Sequence, residues 1–194
     1  PGIGDNYQGG SVFYLDGNGG GLIAAPFDQS TGAEWGCWDT IPGANGTAIG
    51  TGYQNTMDIE AACNTAGTAA DICANLTLGG YSDWFLPSKD ELNLMYQNIG
   101  QGDALGFGNI GGFSNSLDQY WSSSEYVTSG GLAFRQNFYD GNQNYYAKSA
   151  LEHVRAIREF TSNSLNYTYN WSPGGETTAS ITPITQSNYN VLCN

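Results

Sequence analysis

The lone histidine, His153, is the first residue to test for chemistry. A Ser-His-Asp triad needs an imidazole beside an exposed serine Oγ, and the chain has no G-x-S-x-G elbow. Ser122, Ser123 and Ser124 directly follow Trp121 and read as hydrogen-bonding caps for a tight loop, not as nucleophiles. Asp118, Glu125 and Asp140 could act as general acid and base, the pair a glycosidase requires. Acidic residues are common in this chain, however, and Asp140-Gly141 is a hairpin dipeptide in its own right. The three therefore read as solvated turn residues, and no enzymatic activity is expected.

Metal chemistry has thin support. Asp16, Asn18 and Gly20 stand at the alternating spacing of a calcium loop, but the later ligands, including the closing Glu, are missing. A Gly-rich hairpin turn accounts for them. No cofactor is expected to be required; calcium is the ion for which Asp16 and Asn18 are candidate ligands. Of the four cysteines, Cys37, Cys63, Cys73 and Cys193, no two have CxxC spacing, which argues against zinc. Cys63 and Cys73 could close a small loop, and Cys37 is an equally good partner. The reading is an oxidised, exported chain that can leave one cysteine unpaired.

The informative chemistry is aromatic. "DGNQNYYAKSALEHVRAIREF", residues 140 to 160, carries Tyr145, Tyr146, Lys148 and His153 on a stretch without apolar periodicity. With Tyr126 and Phe134, the tyrosines can stack on sugar faces or anchor a protein contact at low entropic cost. The competing reading is a cluster packed beneath the loops. At least two of Tyr126, Phe134, Tyr145 and Tyr146 are expected to be exposed. Asp140, Asn142, Asn144 and Lys148 would supply hydrogen bonds beside them, with His153 as a further contact.

These residues need elements to position them. Residues 10 to 27 read as two apolar strands joined by a Gly-rich turn. Residues 42 to 56 read as a loop, and the Ala-rich residues 57 to 75 as two short helices broken near Gly67. The clearest helix follows "LPSKDELNLMYQNIG": Ser88 and Glu91 have capping-box spacing, and Leu92, Met95, Tyr96 and Ile99 form an apolar stripe. Asp90 and Glu91 there suit the helix dipole and need no catalytic explanation. Residues 119 to 126 and 131 to 141 alternate as strands, with Phe134 and Phe138 opposite Arg135 and Asn137. "HVRAIREF", 153 to 160, reads as one last strand, with Val154 and Ala156 on one face and Arg155 and Ile157 on the other.

The totals bound the function. The chain has 194 residues, 18 acidic against 5 basic, for a net charge of −13. The five cations form no run and the anionic surface would repel phosphates, so nucleic acid is excluded as a partner. No apolar run reaches the roughly 20 residues of a membrane span, so no membrane insertion is expected. With 12% charged residues and abundant Gly, Asn, Ser, Thr and Tyr, the balance suits a loop-rich extracellular protein. The start at Pro1, without Met or signal sequence, reads as a mature or excised fragment. After Phe160 the composition turns Ser/Thr/Asn-rich, with "PGGE" as a turn between two strands. So short a segment cannot bury a core alone, and it reads as the beginning of a further repeat.

"GGYSDWFLPSKDEL", "YWSSSE" and "VRAIREF", in that order, resemble the Lcl-type domain, the C-terminal domain of bacterial collagen-like adhesins. "GGSVFYLDGNGGGLIAAPFDQSTGAEWGC" fits the opening hairpin of the same family, so the resemblance spans roughly residues 7 to 160. The chain is also similar to the variable proteins of diversity-generating retroelements, which share a C-type-lectin-like fold of the formylglycine-generating-enzyme branch. That resemblance implies an α+β domain with short helices, small antiparallel sheets and long loops, in which the first and last strands pair. It places Trp121, Val154, Ala156 and Ile157 in the scaffold. Tyr126, Val127, Leu132, Phe134, Tyr145, Tyr146, Ser149 and His153 would be displayed. Cys63 and Cys73, in the Ala-rich region far in sequence from the displayed segment, depart from the paired cysteines of the branch's oxidases, and the calcium motifs of sugar-binding C-type lectins do not occur. The tail, 161 to 194, is similar to immunoglobulin-like repeats of surface proteins exported by type IX secretion.

The expectation is a C-type-lectin-like domain over 1 to 160 and a β-rich tail over 161 to 194. The function expected is adhesin-like recognition of a surface glycan or a host or prey protein through the loops of residues 118 to 153. The alternative is a structural spacer or filament tip that contacts neighbouring repeats.

Overall fold

The computed structural model describes residues 1–126 and 130–161, and these hold two eleven-residue helices, one short helix and nine strands. In chain order they are β1 (Asn6–Tyr7), β2 (Gly10–Leu15), β3 (Gly20–Ala24), β4 (Ser30–Ala33), α1 (Gly52–Ala62), α2 (Ala69–Ala74), α3 (Lys89–Ile99), β5 (Gln119–Glu125), β6 (Leu132–Asn137), β7 (Gln143–Ala147), β8 (Glu152–Val154) and β9 (Ile157–Thr161). The class is α+β, with two small sheets ordered β1-β2-β3-β9 and β4-β8-β5-β6-β7. The expected tail beyond Thr161 lies outside the described residues.

The N-terminal hairpin forms as its composition dictates. Gly17 and Gly19 sit at φ 76° and 92°, a region that favours glycine, and they turn β2 back into β3. Asp16 Oδ1 accepts from the backbone N–H of Asn18 (2.7 Å) and Gly20 (2.8 Å), closing the turn. The last strand, β9, lies beside β3, so it meets the inner arm of this hairpin and not the first strand. The sheets are not wholly antiparallel either: β5 and β8 pair in parallel through Tyr120 and His153.

The helices show where local signals suffice. Ser88 and Glu91 make both bonds of the capping box at the start of α3. Leu92, Met95 and Ile99 bury their stripe against Phe13, Phe113, Tyr120 and Phe138. A second core gathers Trp35, Trp84 and Trp121 with Val12, Ile23 and Val154. Residues 52–56, expected as loop, are the first turns of α1. Thr51 makes no side-chain cap there; instead Glu91, from α3, accepts from the N–H of Gly50 at 2.7 Å. A partner so distant in sequence leaves no local signal. Gly67, at φ 82°, separates α1 from α2 as expected.

The segment 153–160 is two strands in two sheets, not one. Val154, Arg155, Ala156, Ile157 and Arg158 are all buried where the chain crosses between sheets, so neither face is solvated and alternation carries no meaning. The Arg155 guanidinium fixes the crossing, donating to Asp28 Oδ1 (2.7 Å), the carbonyl of Ala25 (2.9 Å) and that of Gly111 (2.8 Å).

Candidate functional site

The expected display loops of 118 to 153 are largely a sheet, in which β5, β6 and β7 run side by side. β6 and β7 pair over five consecutive positions, including Phe134 with Tyr145, Ala133 with Tyr146 and Arg135 with Asn144. Alternation then puts Tyr145 and Tyr146 on opposite faces of β7. Both are exposed, at 47% and 50%. Tyr126 stacks on Tyr145 with ring centroids 3.9 Å apart and planes within 13°. Phe134 meets both edge-on, at 5.5 Å and 6.3 Å. Such offset and edge contacts hold the rings in place without burying them. Lys89, at the start of α3, sits 5.5 Å from the Phe134 ring.

On the other face the Arg135 guanidinium lies 3.9 Å from the Tyr146 ring. Arg135 also donates to Asn144 Oδ1 at 2.9 Å and pairs with Glu152. Asn144 is thus a half-buried brace for the sheet. Asp140 and Asn142 are exposed in the β6–β7 turn, where Asp140 Oδ1 accepts from the N–H of Asn142 at 2.9 Å. Ser149 is exposed and Leu132 half-buried. Val127 lies outside the described residues. The scaffold residues Trp121, Val154, Ala156 and Ile157 are fully buried.

Lys148 is not displayed. Its side chain is 0% exposed and its ammonium donates to Glu125 Oε1 at 2.6 Å and to the carbonyl of Thr40 at 2.8 Å, with the Trp35 ring 4.6 Å away. An ammonium so enclosed cannot reach a ligand; it ties the loop after β4 to the end of β5. His153 is likewise mostly enclosed. Its Nδ1 lies 3.1 Å from Asp28 Oδ2 and its Nε2 3.5 Å from Asp118 Oδ2. The Asp28 bond holds the imidazole pKa above its ordinary value against the opposing pull of burial. For Asp28, burial pushes its pKa up, but the bonds from His153, Arg155 and Tyr120 outweigh it and the net shift is down.

Catalytic alternatives find little geometry. Ser114 and Ser116 donate to Asp118 and not to the histidine. Asp118 and Glu125 flank opposite ends of β5, about 20 Å apart at the rise of an extended strand. Ser122, Ser123 and Ser124 sit inside β5 as buried stitches, not loop caps. Ser122 Oγ donates to the carbonyl of Phe134, Ser123 Oγ accepts from Asn55, and Ser124 Oγ donates to the carbonyl of Gly46. Asp16 Oδ1 is committed to its own turn, accepting from the N–H groups of Asn18 and Gly20, and the sequence places no bidentate closing Glu after it. Among the described residues no three His, Cys, Asp or Glu side chains converge to hold a metal.

A sequence search of 118–153 misses Trp38 and Ile41, which are 59% and 76% exposed. They lie against Gly131 and Gly130, immediately before β6. Their one sequence signal is a pair of large apolar residues beside Cys37 in an otherwise polar loop. Cys37 bonds Cys63, which settles the pairing and anchors this loop to the end of α1. Cys73 is buried and free, and burial pushes its thiol pKa up.

The family model described as the Lcl C-terminal domain matches residues 27–158, which takes in β4 through β8 and the whole aromatic cluster. The chain belongs to the Lcl C-terminal domain family. The match begins just after the β2–β3 hairpin, so the expected span of 7 to 160 is supported over 27–158. No curated protein matches the chain significantly. An Lcl domain with a disulfide fits an extracellular or surface setting. Among the described residues no helix is long and apolar enough to cross a membrane.

Proposed function

We propose that this Lcl domain is an adhesin-like recognition module, without catalytic activity, on a secreted or surface-attached bacterial protein. One observation carries the reading: an aromatic cluster, half-buried Tyr126 stacked on exposed Tyr145 with half-buried Phe134 at their edges, reaches solvent from the sheet. Aromatic rings held in this way offer contact area at small entropic cost, as binding surfaces require. The ligand would be a surface glycan or a host or prey protein. Asp140 and Asn142 would add hydrogen bonds at one end, with Trp38 and Ile41 extending the contact at the other. Repetition along a longer polypeptide, in the manner of collagen-like adhesins or type IX-exported surface proteins, would raise avidity.

The test is a glycan and surface-protein binding screen, with and without calcium, on the chain and on a variant with Ala at Tyr126, Phe134, Tyr145 and Tyr146. Binding lost in a folded variant supports the module. Binding that survives refutes the site.

A structural spacer is the second reading, and one observation favours it. Leu105, Phe107 and Ile110 are exposed, with Phe107 and Ile110 beside Gly4 near the first residues of the domain. An apolar cluster there suits packing against a neighbouring unit. Reversible self-association that Phe107→Ser and Ile110→Ser abolish would support this reading.

A further inference from the structure

All five Lys and Arg side chains are already occupied within the fold. Each is paired with a carboxylate and lies over an aromatic ring: Lys89 with Asp90 and Phe134, Arg135 with Glu152 and Tyr146, Lys148 with Glu125 and Trp35. Arg155 has Asp28 and Phe113, and Arg158 has Asp83, Tyr81 and Trp84. The net charge of −13 is therefore carried by carboxylates with no cation left to meet them. Of the five only Lys89, 3.9 Å from Asp90, keeps more than a small part of its side chain in water, so an anionic ligand would find little counter-charge here.

β7 adds a second constraint. It is the terminal strand of its sheet among the described residues, and it pairs with β6 over Gln143–Ala147 without a register shift. The opposite edge, β4, is irregular, its register breaking between Ser30 and Ala33. Proteins usually guard a regular edge with lysine, proline or a bulge, and "QNYYA" has none of these. Carboxylates bracket the strand instead. Asp140 is exposed in the turn before it, and Asp90 adjoins Lys89, whose carbonyl accepts from Gln143 Nε2 at 2.8 Å. At the far end exposed Glu34 adjoins Trp35, whose N–H donates to the carbonyl of Lys148 at 2.9 Å.

We infer that the free edge of β7 takes an extended, Arg- or Lys-rich polypeptide segment as an added strand. The inference rests on the recognition reading above and names its partner class. Backbone pairing would supply affinity along the edge, and side chains alternating on the added strand would reach Tyr145 on one face and Tyr146 on the other. Guanidinium groups suit both rings, as Arg135 already shows 3.9 Å from Tyr146. The bracketing carboxylates would draw such a segment in and set its register.

The test uses the full chain and three labelled peptides of one length, alternating threonine with arginine, glutamine or glutamate, followed by fluorescence anisotropy. The arginine peptide is expected to bind and the glutamate peptide not to bind. Raising salt from 0.1 to 1 M, which shortens the screening length from about 10 to about 3 Å, is expected to weaken the arginine complex. Tyr145→Lys puts a guarding charge on an exposed edge position and is expected to weaken binding on the order of ten-fold. The double variant Asp90→Asn/Asp140→Asn is expected to weaken it without touching the edge. Equal binding of all three peptides, or an arginine complex indifferent to both variants, overturns the inference. If no peptide binds while the glycan and protein screen still depends on the four aromatics, the recognition reading stands and this inference falls. If neither assay shows binding, both fall. Self-association abolished by Tyr145→Lys, without peptide binding, would make a second copy the occupant and overturn the inference as well.

Discussion

Replacing Lys148 by methionine removes the ammonium while keeping an unbranched side chain of similar reach. The structure fixes what is lost: the bond to Glu125 Oε1 at 2.6 Å, that to the Thr40 carbonyl at 2.8 Å, and the contact with the Trp35 ring. Glu125 is only 2% exposed and would retain just the N–H of Gly43, at 3.3 Å. Breaking a buried pair from one side strands the other charge and costs about 3–5 kcal/mol. Against a typical stability of roughly 5–15 kcal/mol, that is a large fraction of the whole. For a chain of this size it lowers the unfolding temperature by roughly 6–20 °C. Adding Glu125→Gln removes the stranded charge while leaving an amide oxygen for Gly43. The double variant should therefore be more stable than Lys148→Met alone, a coupling of about 1–3 kcal/mol. Urea unfolding with the disulfide intact, followed by the fluorescence of Trp35 and its neighbours, measures all three proteins. A single variant within about 1 kcal/mol of the parent, or a double variant showing simple additivity, would refute the argument that this pair is a buried strut.

Three further outcomes follow from the same geometry. Ser88→Ala loses the α3 cap and the bond that Ser88 Oγ donates to the Ala48 carbonyl at 2.9 Å, and should cost about 1–2 kcal/mol in urea unfolding. Opening the Cys37–Cys63 bond, which closes a span of 26 residues, should cost about 3.5 kcal/mol on the chain-entropy account, measured by comparing oxidised and reduced protein. The His153 pKa is raised above its ordinary 6.5 in the fold, so its stabilisation is complete below pH 6.5 and lost as pH rises through the folded value. Unfolding midpoints from pH 6 to 9 should therefore fall more steeply for the parent than for His153→Gln; parallel slopes would contradict the Asp28 contact.

The legible parts of this protein are those whose causes lie within a few residues. Ser88 and Glu91 specify a helix start because both partners of the capping box are three positions apart. "DGNGG" specifies a turn because its glycines and its one carboxylate satisfy the backbone locally. The ordered motifs from "GGYSDWFLPSKDEL" to "VRAIREF" placed the chain in its family, and the aromatic residues of 126 to 146 pointed to the candidate surface.

Tertiary structure decided the rest. Lys148 reads as a displayed cation in the sequence, and only the arrival of Glu125 from β5 and of Thr40 and Trp35 from the loop after β4 encloses it. The cap of α1 comes from Glu91, and the partner of Cys63 is Cys37 and not its nearer neighbour Cys73. Arg155 has the residue pattern of a strand face, yet it pins the crossing between two sheets. Tyr145 and Tyr146 are adjacent in sequence, and their assignment to opposite faces follows from the pairing of β7 with β6. Sequence alone determined which residues could turn, cap and stack, since those are properties of a few neighbouring atoms. Which charges stay in water was decided only by folding, because a buried charge is tolerable solely where distant partners converge on it.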